Sequence, residues 1–180
     1  AFWLVRLDGS GEVVSQQAYT APSTGVGSGA QFFASALTDA GDGGFVMAGY
    51  TVATDGPIWI VRVDGSGNVV WSKTYLVCSG GCGDRVASII RTSDGGFAFA
   101  ASLGTASDRL AVAKIDGAGA LQWIYSYGVP AESTDARSLI ETPDGGLAIG
   151  GNLGIGLGVA NFRVLRTDAA GATLWDARVG

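Results

Sequence analysis

The 180-residue sequence predicts an all-β fold built as a tandem repeat of four-stranded antiparallel units, and three observations carry that prediction. A four-residue pattern recurs as Arg6-Leu7-Asp8-Gly9, Arg62-Val63-Asp64-Gly65, Lys114-Ile115-Asp116-Gly117 and Arg166-Thr167-Asp168-Ala169, at spacings of 56, 52 and 52 residues. Seven residues after each aspartate stands Ser15, Trp71, Trp123 or Trp175, and eleven after it Tyr19, Tyr75, Tyr127 or Val179, so the periodicity runs through a whole hairpin. A second marker, Asp42-Gly43-Gly44-Phe45, Asp94-Gly95-Gly96-Phe97 and Asp144-Gly145-Gly146-Leu147, precedes the last three copies at spacings of 52 and 50. Self-similarity at such a period outranks local propensity in choosing a fold.

The chain opens on a strand from Phe2 to Leu7, turns at Asp8-Gly9, and continues from Glu12 to Tyr19, half of one unit. Three full units follow, so residues 1–180 read as one repeat domain: a half unit over 1–20 and complete units over 32–77, 85–128 and 136–180. In the third copy a strand over Ser88–Thr92 meets the turn Ser93-Asp94-Gly95-Gly96 and returns as Phe97–Ala101. A loop leads to Leu110–Ile115, the turn Asp116-Gly117-Ala118-Gly119, and Leu121–Tyr127. Asp-Gly and Gly-Gly turns between short apolar runs are hairpin signals, because glycine accepts the positive φ that tight turns require.

Side-chain size then dictates packing. The second strand of each unit carries Phe45/Met47, Phe97/Phe99 and Leu147/Ile149 on one face, and Val46/Ala48, Ala98/Ala100 and Ala148/Gly150 on the other. Both faces are apolar, so the sheets must be covered on both sides. A large face against a small one lets neighbouring sheets interdigitate. A period near 50 residues with four strands per unit is the blade length of a β-propeller-type repeat, here about three and a half blades.

Composition narrows the function classes. Hydrophobic residues make up 47% and charged residues 15% of the chain, enough for a sizeable core. The formal charge is -5, and nine arginines and two lysines are scattered singly, which argues against a nucleic-acid partner. No apolar run approaches the roughly 18 to 20 residues of a membrane-spanning helix. The chain begins within a strand-like run, without methionine or leader, and reads as processed or as part of a longer protein. Cys78 and Cys82, in Cys-Ser-Gly-Gly-Cys, are expected to form a disulfide, which implies an oxidising compartment. With no histidine, a Ser-His-Asp or Cys-His site is excluded, and two cysteines fall short of the four N/S ligands that a structural zinc site wants.

The pattern Asp42-Gly43-Gly44-Phe45, a small apolar strand, and then Trp59-Ile60-Val61-Arg62-Val63-Asp64-Gly65-Ser66-Gly67, with Trp71 following, resembles the blade repeats of secreted bacterial and archaeal β-propeller proteins. The resemblance covers nearly the whole chain and implies an architecture shared by binding, adhesion, surface-layer and enzymatic proteins. The aspartate-to-tryptophan hairpin is also similar to the repeat of quinoprotein dehydrogenases, whose ring of more numerous blades holds a quinone cofactor and calcium centrally.

Asp8, Asp64, Asp116 and Asp168 sit at turn starts, where the expected role is capping of local backbone amides. Arg6, Arg62, Lys114 and Arg166 are expected to form repeated ion pairs or to cover tryptophan faces, and Trp71, Trp123 and Trp175 to pack between units. Asp39 and Asp42, in a longer turn, are the candidates for a calcium ion, although no cofactor is expected overall. Residues that break the repeat are better ligand candidates: the insertion from Ala21 to Gln31, the cysteine loop with Asp84 and Arg85, and Glu132, Asp135 and Arg137. The last two regions precede equivalent strands and would share one face. The functional expectation is a non-enzymatic extracellular or cell-surface module that self-associates, with copies of itself or further blades as partners. The alternatives are a carbohydrate- or protein-binding module and, with Glu132 and Asp135 as a carboxylate pair, a fragment of a glycoside-active enzyme.

Overall fold

The computed structural model describes residues 1–22, 31–51, 56–77, 84–104, 109–128, 133–155 and 159–179. Within them lie fourteen strands and no helix: β1 Phe2–Leu7, β2 Val13–Tyr19, β3 Phe32–Asp39, β4 Phe45–Thr51, β5 Ile58–Val63, β6 Val69–Tyr75, β7 Arg85–Arg91, β8 Phe97–Leu103, β9 Arg109–Ile115, β10 Leu121–Tyr127, β11 Ser133–Glu141, β12 Leu147–Ile155, β13 Val159–Thr167 and β14 Thr173–Val179. They form four antiparallel sheets, β1-β2, β3-β4-β5-β6, β7-β8-β9-β10 and β11-β12-β13-β14, each a meander in chain order. The first sheet consists of strands equivalent to the third and fourth of the other units.

The turns follow the sequence. In the turn between β5 and β6, Gly67 has φ +89°, its N–H donates to the Asp64 carbonyl at 3.0 Å, and the Asp64 N–H donates to the Asn68 carbonyl at 2.9 Å. Gly11, Gly119 and Gly171 repeat this conformation. Each turn aspartate accepts from the amides two and four residues on: Asp64 from Ser66 at 2.9 Å and Asn68 at 2.8 Å, Asp116 from Ala118 at 2.9 Å and Ala120 at 2.7 Å. Asp8 and Asp168 make the same pairs.

Packing between sheets is directional. Val46, Ala48, Ile58 and Ile60 of the second unit meet Phe97, Phe99 and Ala113 of the third in one core. Ala98, Ala100, Leu110 and Val112 of the third meet Leu147, Ile149 and Leu165 of the fourth. Phe2, Leu4 and Tyr19 of the first meet Met47, Trp59 and Val61 of the second. The small face of one unit therefore receives the large face of the next, and the polarity repeats along the stack. No packing interface returns from the fourth sheet to the first among the described residues.

Polar contacts repeat with the same polarity. The Tyr19 hydroxyl donates to the Gly67 carbonyl at 2.9 Å, Tyr75 to Gly119 at 2.7 Å and Tyr127 to Gly171 at 2.6 Å, in each case across one interface. Trp71 Nε1 and Arg62 both donate to the Gly117 carbonyl, at 3.0 and 2.8 Å, and Arg6 donates to the Gly65 carbonyl. The repeated bases also pair within their own units: Arg62 with Asp42 at 2.8 Å, Lys114 with Asp94 at 2.5 Å and Arg166 with Asp144 at 2.6 Å. The ring beneath the guanidinium is the next unit's phenylalanine, not a tryptophan: Arg6 lies over Phe45 and Arg62 over Phe97, each 5.9 Å from the ring centroid.

Burial raises the Tyr75 phenol above its ordinary pKa and pushes Tyr127 up to about 12, so both hydroxyls stay protonated donors. Replacing Tyr75 by phenylalanine removes the donor and leaves the Gly119 carbonyl without it, at a cost of about 1 to 3 kcal/mol. Urea unfolding of the Tyr75→Phe variant should show that loss with an unchanged m-value. The Asp94 carboxyl is pushed up by burial but pulled down further by Lys114, Thr92 and the Gly96 amide, to about 2, and Thr142 and Arg166 hold Asp144 at about 2. Both folded values lie below the ordinary 3.8, so in that window the unfolded chain binds more protons. Their stabilisation is complete above the ordinary value and is lost as pH falls through the folded one. Stability should therefore drop on acidification over that window, with a slope that the double variant Asp94→Asn/Asp144→Asn flattens.

Candidate functional site

The first strands of the three complete units lie side by side, with β7 against β3 and β4, and β11 against β7, β8 and β9. Each carries a bulge at the same place, where pairing with the second strand shifts between Ala34 and Ala36, Val86 and Ser88, and Ala136 and Ser138. The bulged residues are Ser35, Ala87 and Arg137. A bulge re-aims its side chain and tightens the local twist. Two positions before each bulged residue, Phe33 pairs with Tyr50, Arg85 with Ser102 and Asp135 with Asn152. One repeat position thus carries an aromatic pair, a cation beside a hydroxyl, and an anion beside an amide.

Of these positions, Ser35, Tyr50, Arg85, Ser102, Asp135 and Arg137 line an open cleft of about 350 Å³ that crosses all three units. Ser35 Oγ donates to the Val86 carbonyl at 2.7 Å, and the Ala136 N–H donates to Ser102 Oγ at 3.0 Å, so hydroxyls tie each bulged strand to its neighbour. The Tyr50 ring stacks with Phe33 at 6.1 Å and has the Arg85 guanidinium 5.9 Å from its centroid. Arg137 pairs with Asp135 at 3.1 Å, and the Asn152 amide oxygen, in its hydrogen-bonding orientation, accepts from Arg137 at 3.1 and 3.2 Å. Arg137 is exposed and Asp135 partly so, which makes this pair a weak contributor to stability. Two guanidinium groups, one carboxylate and an aromatic face suit recognition of anionic or hydroxyl-rich groups.

Three sequence candidates, Arg85, Asp135 and Arg137, thus meet in this cleft. Asp84 is separated from it by burial, at 1% exposure. Glu132, the Cys78/Cys82 pair and the bulk of the Ala21–Gln31 insertion lie outside the described residues. Asp39 and Asp42 are engaged within their turn: Asp39 accepts from the Gly41 amide, and Asp42 accepts from Gly44 at 3.0 Å while pairing with Arg62. Among the described residues no group of three or more Asp, Glu, Cys or His side chains converges. Trp71 and Trp123 lie half-buried between units, and Trp175 is exposed on the last sheet.

One polar cluster is not apparent from the sequence. Arg163, 4% exposed, donates from Nε and Nη2 to the two carboxylate oxygens of Asp176 at 2.9 and 2.7 Å, and from Nη1 to Thr134 Oγ1 at 3.2 Å. The equivalent positions hold Trp59 and Ser72, joined by a 2.9 Å hydrogen bond, and Ala111 and Ile124. Aligning the units through their aspartates would have exposed the signal, an arginine and an aspartate thirteen residues apart at otherwise neutral positions.

No family model matches the chain, and no curated protein matches it. Among solved structures, a protein of unknown function from Bacteroides caccae is similar over 99% of this chain, with a TM-score of 0.57 and 11% sequence identity. The likeness is one of fold. The chain spans 58% of the length of that protein.

The pairing of buried Arg163 with a partly exposed Asp176 predicts an asymmetry. Asp176→Ala leaves a desolvated guanidinium and should cost about 3 kcal/mol in denaturant unfolding, whereas the double change Arg163→Leu/Asp176→Leu should cost far less.

Proposed function

We propose that this chain is a non-enzymatic extracellular structural and interaction module of β-propeller type that self-associates through the faces of its terminal units. The observation that carries the reading is the fourth unit's outward face. Its Ile140, Phe162, Trp175 and Val179 are 57%, 68%, 49% and 59% exposed, at positions equivalent to Ile90, Leu110, Trp123 and Tyr127, which pack in the interface between the third and fourth units. At the other end Trp3, Leu7 and Val14 are exposed on the first sheet. Contiguous apolar surface of this kind marks association sites. Because the internal contacts pair unlike faces, association that continues them is head-to-tail and gives a ring where the rotation closes and a filament where it does not.

The cleft favours a second reading, a carbohydrate- or protein-binding module. Its exposed arginines and the Tyr50 ring are groups that hold sugar or carboxylate ligands on a rigid frame.

Light scattering followed by electron microscopy separates the two readings. Self-association predicts a discrete ring or a filament many times 18.2 kDa, whereas a monodisperse particle of 18.2 kDa would overturn it and leave the cleft as the functional surface. Phe162→Asp should dissociate the assembly. Val179→Tyr should tighten it, because it restores the hydroxyl that Tyr19, Tyr75 and Tyr127 use to reach a glycine carbonyl in the next unit.

A further inference from the structure

We infer that the cleft across β3, β7 and β11 is a binding site for an acidic saccharide, one whose sugar ring carries a carboxylate, and that Arg85 is the group that takes the carboxylate. This rests on the cleft's being the surface of a binding module, and it is independent of the outward faces of the terminal units.

Arg85 is the uncommitted charge of the cleft. Its side chain is exposed, its guanidinium lies 5.9 Å from the centroid of the Tyr50 ring, and among the described residues no carboxylate pairs with it. The other guanidinium is already held, since Arg137 pairs with Asp135 at 3.1 Å and donates to the Asn152 amide oxygen. The lining thus holds two guanidinium groups and one carboxylate, a net charge of +1 in a chain whose formal charge is -5. A guanidinium resting over an aromatic ring keeps its planar fork of N–H donors available, and that fork matches the two oxygens of a carboxylate.

The neighbours of Arg85 specify the rest of the ligand. One uncompensated cation matches one carboxylate, whereas a phosphate dianion would leave surplus negative charge facing Asp135. The Asp135 carboxylate accepts hydrogen bonds and does not donate them, so the ligand must bring donors as well as an anion, and sugar hydroxyls are such donors. Ser102 Oγ accepts from the Ala136 amide at 3.0 Å, which leaves its own O–H to donate to a ligand. A peptide is the poorer fit, because the strand edges it would pair with are interrupted. Each first strand is bulged, and the Val86 carbonyl and the Ala136 amide are engaged across units by Ser35 and Ser102. The volume of about 350 Å³ lies near the lower end of the roughly 300 to 1,000 Å³ of small-ligand sites, which suits a short stretch of sugar chain.

The probes are trigalacturonate and a hyaluronan tetrasaccharide, which differ in the sugar that carries the carboxylate, titrated by calorimetry into the 180-residue chain. Calorimetry counts sites per chain and so reads the same in a monomer or an assembly. At least one probe should bind saturably at a single site per chain. Methyl esterification of that probe, or Arg85→Gln in the protein, should weaken binding roughly tenfold or more, the loss of one charge-assisted hydrogen-bonded contact. Arg85→Lys should fall between, because it keeps the charge and loses the fork. Both variants should unfold in urea at the parent midpoint, since the side chain they change is exposed. Equal affinity for the methyl ester, or uronate binding unaltered by Arg85→Gln, would overturn the inference and leave a carbohydrate-binding module. Binding of a glutamate-rich peptide in place of both uronates would overturn it in favour of a protein ligand. Failure of uronates, esters and peptide alike would overturn the inference and the binding-module reading together.

Discussion

The contact on which the rest of this structure depends is the seating of large side chains from one sheet against small ones of the sheet before it. Phe97 and Phe99 lie on Val46 and Ala48, Leu147 and Ile149 on Ala98 and Ala100, and the side chains at the centre of the stack are almost wholly excluded from water. Protein interiors reach crystal-like density only when such shapes interlock, so two large faces would leave the sheets too far apart and two small ones would leave voids. The second strand of each unit must therefore be apolar on both sides and asymmetric in size. That asymmetry gives the stack a direction, and the polar contacts obey it: tyrosine hydroxyls, a tryptophan N–H and guanidinium groups all reach forward to turn carbonyls of the following unit.

A directional stack has unlike ends. The fourth unit offers a small apolar face with Phe162 and Trp175 proud of it, and the first offers Trp3 and Leu7 on a sheet of two strands. The same physics that buries the internal faces makes the outer ones costly to expose, and that cost is the physical ground for proposing self-association. The end faces are not copies of the internal ones: Val179 stands where the first three units have tyrosine, and Ser15 where the last three have tryptophan. Association at the ends thus rests more on apolar burial and less on the hydrogen bonds that fix the internal register.

The cleft follows a different logic. Its walls are set by the repeat, because a bulge at the same point of β3, β7 and β11 brings equivalent positions of three units to one surface. Its chemistry is set by departures from the repeat, since those positions hold Arg85 and Asp135 in one row and Ser35, Ala87 and Arg137 in the next. The scaffold tolerates this because these side chains reach toward solvent. Arg163 and Asp176 show the more demanding case, a departure inside an interface, where the charge is retained with its partner and with Thr134.

By itself the sequence determined the units, the turns and the face polarity, because these depend on local signals: aspartates that cap their own turn amides, glycines at positive φ, and alternation of large and small residues along one strand. Arg85, Asp135 and Arg137 were legible as ligand candidates because they interrupt the repeat. Strand starts were less legible: the sequence placed the first strand of the third unit at Ser88, whereas it begins at Arg85, because the bulge at Ala87 breaks the alternation by which a strand is recognised. Only the tertiary structure decided that the forward-reaching bases lie over phenylalanine rings, that Arg163 finds Asp176, and that Asp84 is buried while Arg85 beside it is exposed. Each of those outcomes depends on which residue of a neighbouring strand or unit arrives opposite, a matter of register and stacking distance that local spacing along one chain does not encode.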